Sequence, residues 1–208
     1  MFTGLVSDMG KVSAITPFPG GIRWTIEAPK TVTELKPGDS VNVSGACQTA
    51  ETVRDGSFAG TSIQETLSAT NFGDWTIGRI VNLELAMRAS DRFGGHIVTG
   101  HIDTTGRVDN VRISSEGHRV DVSFDSEFDR WVLAKGSIAI DGVSLTVMVK
   151  KPGLMTVSFI PETVGRTTLG DLRVGQRVNL EFDMLVKAVV SDHARAQIDK
   201  QMLQKSGW

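Results

Sequence analysis

The chain has 208 residues with 22 Lys and Arg against 24 Asp and Glu, a formal net charge of −2, and 40% hydrophobic residues. That is enough length for one large domain or two small ones, and too little positive charge for general attraction to nucleic acid or anionic membranes. A single cysteine, Cys47, excludes an internal disulfide and any cysteine-built zinc or iron–sulfur centre.

The first residues, MFTGLVSDMG, have neither the basic region nor the apolar stretch of a signal peptide, and no apolar run reaches the length of a membrane span. A soluble, cytoplasmic protein is expected. Further along, Val41/Val43 and Val81/Leu83/Leu85 alternate with polar or small residues, the period of strands with one buried face. Between them, Asp55-Gly56 joins two strand-like runs in the manner of a hairpin. GGHIVTGHID (94–103) then places His96 and His101 five positions apart, each after a glycine. This is not a recognised zinc spacing, and no third ligand is patterned nearby, so no metal site is expected. Val120/Val122/Phe124, Ile138/Ile140, Met155/Val157/Phe159 and Val178/Leu180/Phe182 alternate again, with Pro152-Gly153 as a second hairpin connection. The tail from Val186 is rich in helix formers, and Val190, Ala194, Ile198 and Met202 recur at fourfold spacing. It predicts one helix over 186–208, folded back on its own barrel or serving as a subunit contact.

These elements are written twice. Gly45 matches Gly142, Thr49 matches Thr146, Gly56 matches Gly153, and Glu65-Thr66 matches Glu162-Thr163, all at one displacement of 97 residues. The same displacement lays GDWTIGRIVNLE over GDLRVGQRVNLE, and a shift one residue shorter lays TGLVSDMGKV over TGHIDTTGRV. Short strands at regular spacing in each copy predict an all-β protein of two tandem homologous Greek-key-like barrels, closed or nearly so, plus the C-terminal helix. The expected units are 1–96, 97–185 and 186–208.

MFTGLV, GGHIVTGHID, KGSIAIDGVSLTV and IPETVGRTTLG together resemble the riboflavin synthase alpha-chain family, in order and spacing over residues 1 to 190. The resemblance implies a homotrimer without metal or cofactor that dismutates two molecules of 6,7-dimethyl-8-ribityllumazine into riboflavin and 5-amino-6-ribitylaminouracil. Association with lumazine synthase is a further partner expectation. Gly4, Leu5 and Val6, Ser144, Leu145 and Thr146, and the run Ser158, Phe159, Ile160, Pro161, Glu162 and Thr163 match the segments that hold one pteridine. Cys47, Gln48 and Thr49, the run Thr61, Ser62, Ile63, Gln64, Glu65 and Thr66, and Gly100, His101 and Ile102 match those that hold the other.

Further roles are carried over in the same way. Lys135 matches a ligand-contacting lysine whose ammonium would stabilise charge developing on the pyrimidine-dione. Cys47 and Ser144 occupy equivalent positions, where the pockets differ by a thiol against a hydroxyl; Cys47 is read either as an auxiliary group or as an inert small hydrophobe. His101 replaces Leu5 of the first copy, so an ionisable ring is expected in one pocket only, while His96 is expected to fix the connection between barrels. Ser40, Asp183 and Phe2 match positions associated with activity: Phe2 is expected to pack on a pteridine face, with which a core place in the first strand does not conflict, and Asp183 to orient a hydroxyl or histidine or to serve as a turn or cap residue.

One departure concerns Gln48, which stands where the family pattern has an apolar residue; it is expected either to face outward or to alter how the first pocket holds its ligand. The alternative function is a noncatalytic lumazine- or flavin-binding accessory protein. Such relatives lack the second histidine segment and the Glu-Thr signature of the first barrel, both present here. A flavin reductase would need a following nicotinamide-binding domain, for which the chain leaves no room.

Overall fold

Alternating burial along the strands rolls each half into its own antiparallel sheet, as a computed structural model describing residues 1–115 and 117–191 shows. The first half contains β1 (Asp8–Phe18), β2 (Gly21–Glu27), β3 (Ser40–Val43), β4 (Ala46–Thr49), β5 (Thr52–Arg54), β6 (Ser57–Ile63) and β7 (Ile80–Leu85). The second contains β8 (Thr104–Ser114), β9 (Gly117–Ser123), β10 (Ser137–Ile140), β11 (Val143–Lys151), β12 (Leu154–Phe159) and β13 (Arg177–Phe182). Short helices α1 (Gln64–Ala69) and α2 (Pro161–Arg166) follow β6 and β12, and each leads into a 3-10 turn, Asn71–Asp74 and Thr168–Asp171. A third helix, α3, begins at 184 and is described to 191; the rest of the expected 186–208 helix lies outside the described residues. No helix among the described residues is long and apolar enough to cross a membrane.

The second sheet is a closed barrel in the order β10-β11-β12-β9-β8-β13, with β9 beside β12 while the chain between them detours through β10 and β11, a Greek-key connection. The first has the order β4-β3-β7-β1-β2-β6-β5. Its two edges are pieces of one strand: β4 and β5 together follow the path of β11, interrupted at Ala50 and Glu51. Glu51 N–H still donates to the Ala59 carbonyl at 2.9 Å, so the interruption leaves the backbone largely paired. β1 and β8 carry register shifts at equivalent places, between Val12 and Ala14 and between Val108 and Asn110. Such bulges increase the local bend and help a sheet curl on itself.

The cores differ more than the backbones. In the second barrel Val120, Leu145 and Phe159 are buried in one apolar cluster. The equivalent positions in the first are Trp24, Gln48 and Ser62, joined as a buried chain: Trp24 Nε1 donates to Ser62 Oγ at 2.9 Å, Ser62 Oγ to Gln48 Oε1 at 2.8 Å, and Gln48 Nε2 to the Cys47 carbonyl at 2.8 Å. A buried amide needs such partners, and its neighbours have changed with it.

The halves meet at two hairpin tips. Ser44 and Gly45 have φ of 43° and 94°, Asp141 and Gly142 of 44° and 80°, the paired left-handed conformations of a two-residue I′ turn. A Cβ on Gly45 would stand 2.9 Å from the Gly142 nitrogen, and one on Gly142 would stand 2.8 Å from the Gly45 nitrogen. Equivalent asparagines lace the tips to the opposite half: Asn82 Nδ2 donates to the Asp141 carbonyl at 2.9 Å, and Asn179 Nδ2 to the Ser44 carbonyl at 2.7 Å. Their Oδ1 atoms accept from Thr168 N–H at 2.8 Å and Asn71 N–H at 2.7 Å. Close by, Phe2 and Val98 form an antiparallel bridge between the segments that lead into the two copies.

Asp141 breaks this symmetry, standing where the first half has Ser44. It is 2% exposed, and burial pushes its carboxyl up from 3.8 to about 6 against the bonds from Asn179 N–H and Asn71 Nδ2 and the field of Arg79. The native state therefore holds the Asp141 proton more tightly than the unfolded chain. This stabilisation is complete below about pH 4 and lost as pH rises to about 6. Asp141→Asn retains an acceptor and suits positive φ, so thermal melts at pH 4, 6 and 8 should show it more stable than the parent by about 1–3 kcal/mol at pH 8, with the gain vanishing toward pH 4.

Candidate active site

Strand alternation decides which residues of each matched segment face outward. On β4, Ala46 and Gln48 point into the barrel, leaving Cys47 less buried and Thr49 exposed; on β11, Val143 and Leu145 point in, with Ser144 and Thr146 outside. Ser40 pairs with Thr49 across β3 and β4 and shares its face. The ends of β6 and β12 alternate likewise, Thr61 and Ile63 outward around buried Ser62, Ser158 and Ile160 outward around buried Phe159. Gln48, Leu145, Ser62 and Phe159 are thus barrel-interior side chains. The outward reading of Gln48 is corrected.

The lead-in segments complete each face by crossing to the other half. Thr3 N–H and Oγ1 both donate to Glu84 Oε1 at 2.7 Å, and Gly4 N–H to Glu84 Oε2 at 3.0 Å, anchoring the first lead-in on β7. Thr99 and Gly100 are held by Glu181 of β13 through the same three bonds, at 2.6, 2.7 and 2.9 Å. Past the anchor, the Gly4 carbonyl accepts from Ser144 N–H at 2.8 Å, and the Gly100 carbonyl from Cys47 N–H at 2.7 Å. A Cβ on Gly4 would stand 2.6 Å from Ser144 Cβ, and one on Gly100 would stand 2.5 Å from Cys47 Cβ; with φ of 75° and 83°, only glycine suits either place. Val6 then packs against the second core and Ile102 against the first. Burial raises both glutamates while their hydrogen bonds oppose it. Neither was singled out from sequence, although both end the repeated VNLE.

Two composite faces result. One gathers Cys47, Thr49 and Ser40 with Gly100, His101 and Ile102; the other gathers Ser144 and Thr146 with Gly4, Leu5 and Val6. Leu5 and Ser40 also line a cavity of ≈ 540 Å³ with Thr3 and Glu84. His101 is exposed and replaces exposed Leu5. Glu65 and Glu162 stand exposed in the first turns of α1 and α2, Glu162 2.7 Å from Arg166, with Gln64, Thr66, Pro161 and Thr163 beside them. Lys135 is exposed at φ 66°, where the first half has Gly38 at φ 93°. Left-handed backbone at a non-glycine residue costs about 1–3 kcal/mol, the kind of strain that gathers at functional positions.

Phe2 and Asp183 take the core and cap places that were among their expected ones, while His96 lies differently from expectation. Phe2 has 0% exposure, packed with Val98 and Ala139 and against Cys47, so its ring has no free face for stacking and it takes the core position. Asp183 caps α3, accepting from Leu185 N–H at 2.9 Å. His96 does more than fix the connection: its N–H donates to the Thr3 carbonyl at 3.2 Å, and its Nδ1 lies 2.7 Å from Ser144 Oγ. Gly95 permits this, since a Cβ there would overlap the Thr3 carbonyl oxygen and reach 3.1 Å from Ser144 Oγ. Burial holds the His96 imidazole below 6.5, opposed by the field of Asp183, so it is neutral at pH 7 and able to accept a proton from a hydroxyl.

Tandem barrels carrying paired, cross-completed outer faces define a duplicated small-molecule-binding protein. The lumazine binding domain family model matches residues 3–86 and 99–183. The chain is 39% identical over 193 residues to a riboflavin synthase of Mycobacterium bovis, covering 91% of this chain and 96% of that one. Its identity to a riboflavin synthase of Escherichia coli is 38% over 192 residues, covering 91% and 90%. A crystal structure of LumP complexed with riboflavin superposes with a TM-score of 0.82 at 24% identity, over 88% of this chain and 99% of that chain. The chain belongs to the lumazine-binding family, together with the riboflavin synthases.

In ¹H–¹⁵N spectra the His96 ring should titrate with a midpoint below 6.5, and Asp183→Asn should lower it further by removing a charge that favours the imidazolium.

Proposed function

We propose that this chain is a riboflavin synthase, transferring a four-carbon unit from one 6,7-dimethyl-8-ribityllumazine to another to give riboflavin and 5-amino-6-ribitylaminouracil. The observation that carries this reading is the pair of faces built from one repeat but differing at Cys47/Ser144 and His101/Leu5, in a chain whose relatives carry that enzyme name. Two identical reactants need two like receptors, and a donor and an acceptor must differ. The reaction is redox-neutral overall, one molecule losing what the other gains, so the proposed chemistry needs no oxidant.

Ser144 with neutral His96 is the better-equipped nucleophile or base: His96 takes a proton from the hydroxyl, or from water held there, as addition occurs at C7 of one lumazine. Loss of a proton from the 7-methyl of the other leaves charge on the pyrimidine-dione, which Lys135 would stabilise. His101, Glu65 and Thr66 serve the first face, and Glu162 and Thr163 the second, with neighbouring strand backbone and hydroxyls holding the heterocycle and ribityl chain.

The proposal extends to a cytoplasmic homotrimer of units 1–96, 97–185 and 186–208, with each reacting pair held between the first barrel of one subunit and the second barrel of its neighbour. Exposed Met184, Leu185 and Val189 on α3 support a subunit contact there. Association with lumazine synthase would shorten the route of the substrate.

Purified protein mixed with the lumazine alone should develop riboflavin absorbance; tightly bound but unchanged lumazine would instead identify a binding accessory protein. His101→Ala and Ser144→Ala should each lower turnover by about 10²-fold or more. Dissociated, mixed and reassembled, the two variants should regain about a quarter of parent activity, the chance that an intact first barrel meets an intact second barrel across a subunit boundary. No recovery would place the reacting pair within one chain.

A further inference from the structure

The duplication supplies an internal comparison at the two junctions between the halves. At one, Arg177 of β13 reaches the 3-10 turn of the first half: Nη1 donates to Asp74 Oδ1 and Oδ2 at 3.2 and 3.0 Å, and Nη2 to the Thr70 carbonyl at 3.4 Å and Thr105 Oγ1 at 3.3 Å. The sister junction repeats the principal acceptors. Asp171 stands for Asp74, and Thr167 for Thr70, each threonine capping its turn by accepting a backbone N–H at 3.2 Å. The guanidinium is not repeated. Ile80 holds the place of Arg177, as register confirms, since Ile80 pairs with Lys11 where Arg177 pairs with Arg107.

The consequence is an open cleft. Beside Arg177 only a hollow of ≈ 240 Å³ remains, lined by Thr105, Gly106, Arg107, Ser123 and Phe124 of the second half, whereas at the sister junction a cavity of ≈ 690 Å³ spans both halves, lined by Met9, Lys11, Ile80, Val164, Thr167 and Asp171 among others. That volume falls in the range of small-molecule sites. Asp171 is exposed and takes no hydrogen bond or ion pair from the described residues. Glu27 adds a second carboxylate to the wall, Met9, Pro29, Ile80 and Val164 supply apolar surface, and Lys11 and Arg79 supply positive charge.

We propose that this cleft binds a small molecule bearing a guanidinium, seated against the Asp171 carboxylate and the Thr167 carbonyl as Arg177 is seated against Asp74 and Thr70. A planar fork of N–H donors matches a carboxylate in two bonds, which a neutral urea of the same shape cannot do with equal strength. The apolar wall suits an aliphatic stem, and Lys11 and Arg79 suit an anionic group at its far end, so an arginine-like zwitterion fits the whole lining. The site is separate from both composite faces, although α2, which begins with Pro161-Glu162-Thr163, forms part of its wall, and it does not depend on the reaction proposed above.

Titration calorimetry and saturation-transfer NMR with L-arginine, agmatine and L-citrulline test it on the full chain. L-Arginine and agmatine should bind; citrulline, which has the shape without the charge, should bind at least about tenfold more weakly, and Asp171→Asn should weaken L-arginine by a similar factor. Ile80→Arg should fill the cleft from within, abolish binding and raise the melting temperature by recreating the sister ion pair. Asp171 is exposed, so its variant reports on the site even if Ile80→Arg fails to fold. Equal binding of citrulline, unchanged affinity in Asp171→Asn, or no binding of L-arginine or agmatine at 10 mM, a roughly 3 kcal/mol floor, would overturn the proposal.

Discussion

The close approach of two glycines determines much of the arrangement. Gly45 and Gly142 bring the backbones of the two hairpin tips together with no room for a Cβ between them. Only at that spacing can Asn82 and Asn179, each on its own barrel, satisfy backbone groups of the opposite half with both ends of the amide. The polar contacts are buried and reciprocal, so displacing either tip leaves several unsatisfied groups at once. The same approach brings the lead-in segments within reach of each other, and their bridge at Phe2 and Val98 fixes where they cross. Each composite face is therefore a consequence of the junction: Gly4 reaches Ser144, and Gly100 reaches Cys47, because the halves are locked in one relation.

Within that frame the two copies have diverged mainly by substitution on a constant backbone. The interior of the first barrel exchanges an apolar trio for Trp24, Ser62 and Gln48, linked by hydrogen bonds, while Cys47 and Thr49 keep the outward places held by Ser144 and Thr146. Such an exchange is tolerated when all members change together, since any one alone would leave a buried polar group unpaired or a cavity. Outward positions are freer, and there the chemistry differs: thiol for hydroxyl, imidazole for leucine, and lysine for glycine at a left-handed turn.

Much of the fold was legible in sequence because it depends on local order. Alternation located the strands, the repeat at 97 residues predicted like barrels, and paired glycines marked the hairpins. What sequence left open depends on contacts distant along the chain. Gln48 gave no sign of its direction without Ser62 and Trp24 to receive it. Glu84 and Glu181 were visible as a recurrence, but their purpose needs the lead-ins of the opposite end of each copy. His96 looked like a connector because it lies before the repeat begins; it reaches Ser144 only because Gly95 admits the strand beside Thr3. The break between β4 and β5 was also hidden, since both copies carry a strand-like pattern there.

That break bears on the difference between the faces. β11 runs from Val143 to Lys151, paired with β10 on one side and β12 on the other, so Ser144 stands on a continuous strand with its neighbours held. The equivalent path in the first half stops after Thr49, with Cys47 two residues from the end. A hydroxyl that must keep hydrogen-bond distance to one imidazole gains from the first situation, because alignment of such a pair tolerates little displacement. Among the described residues the first face has no comparable side-chain pair, and its ionisable ring, His101, stands exposed. Duplication alone would give two equal faces; ordering one around a fixed Ser–His contact, while the other carries its thiol near the end of a short strand, separates them without altering the junction that holds both.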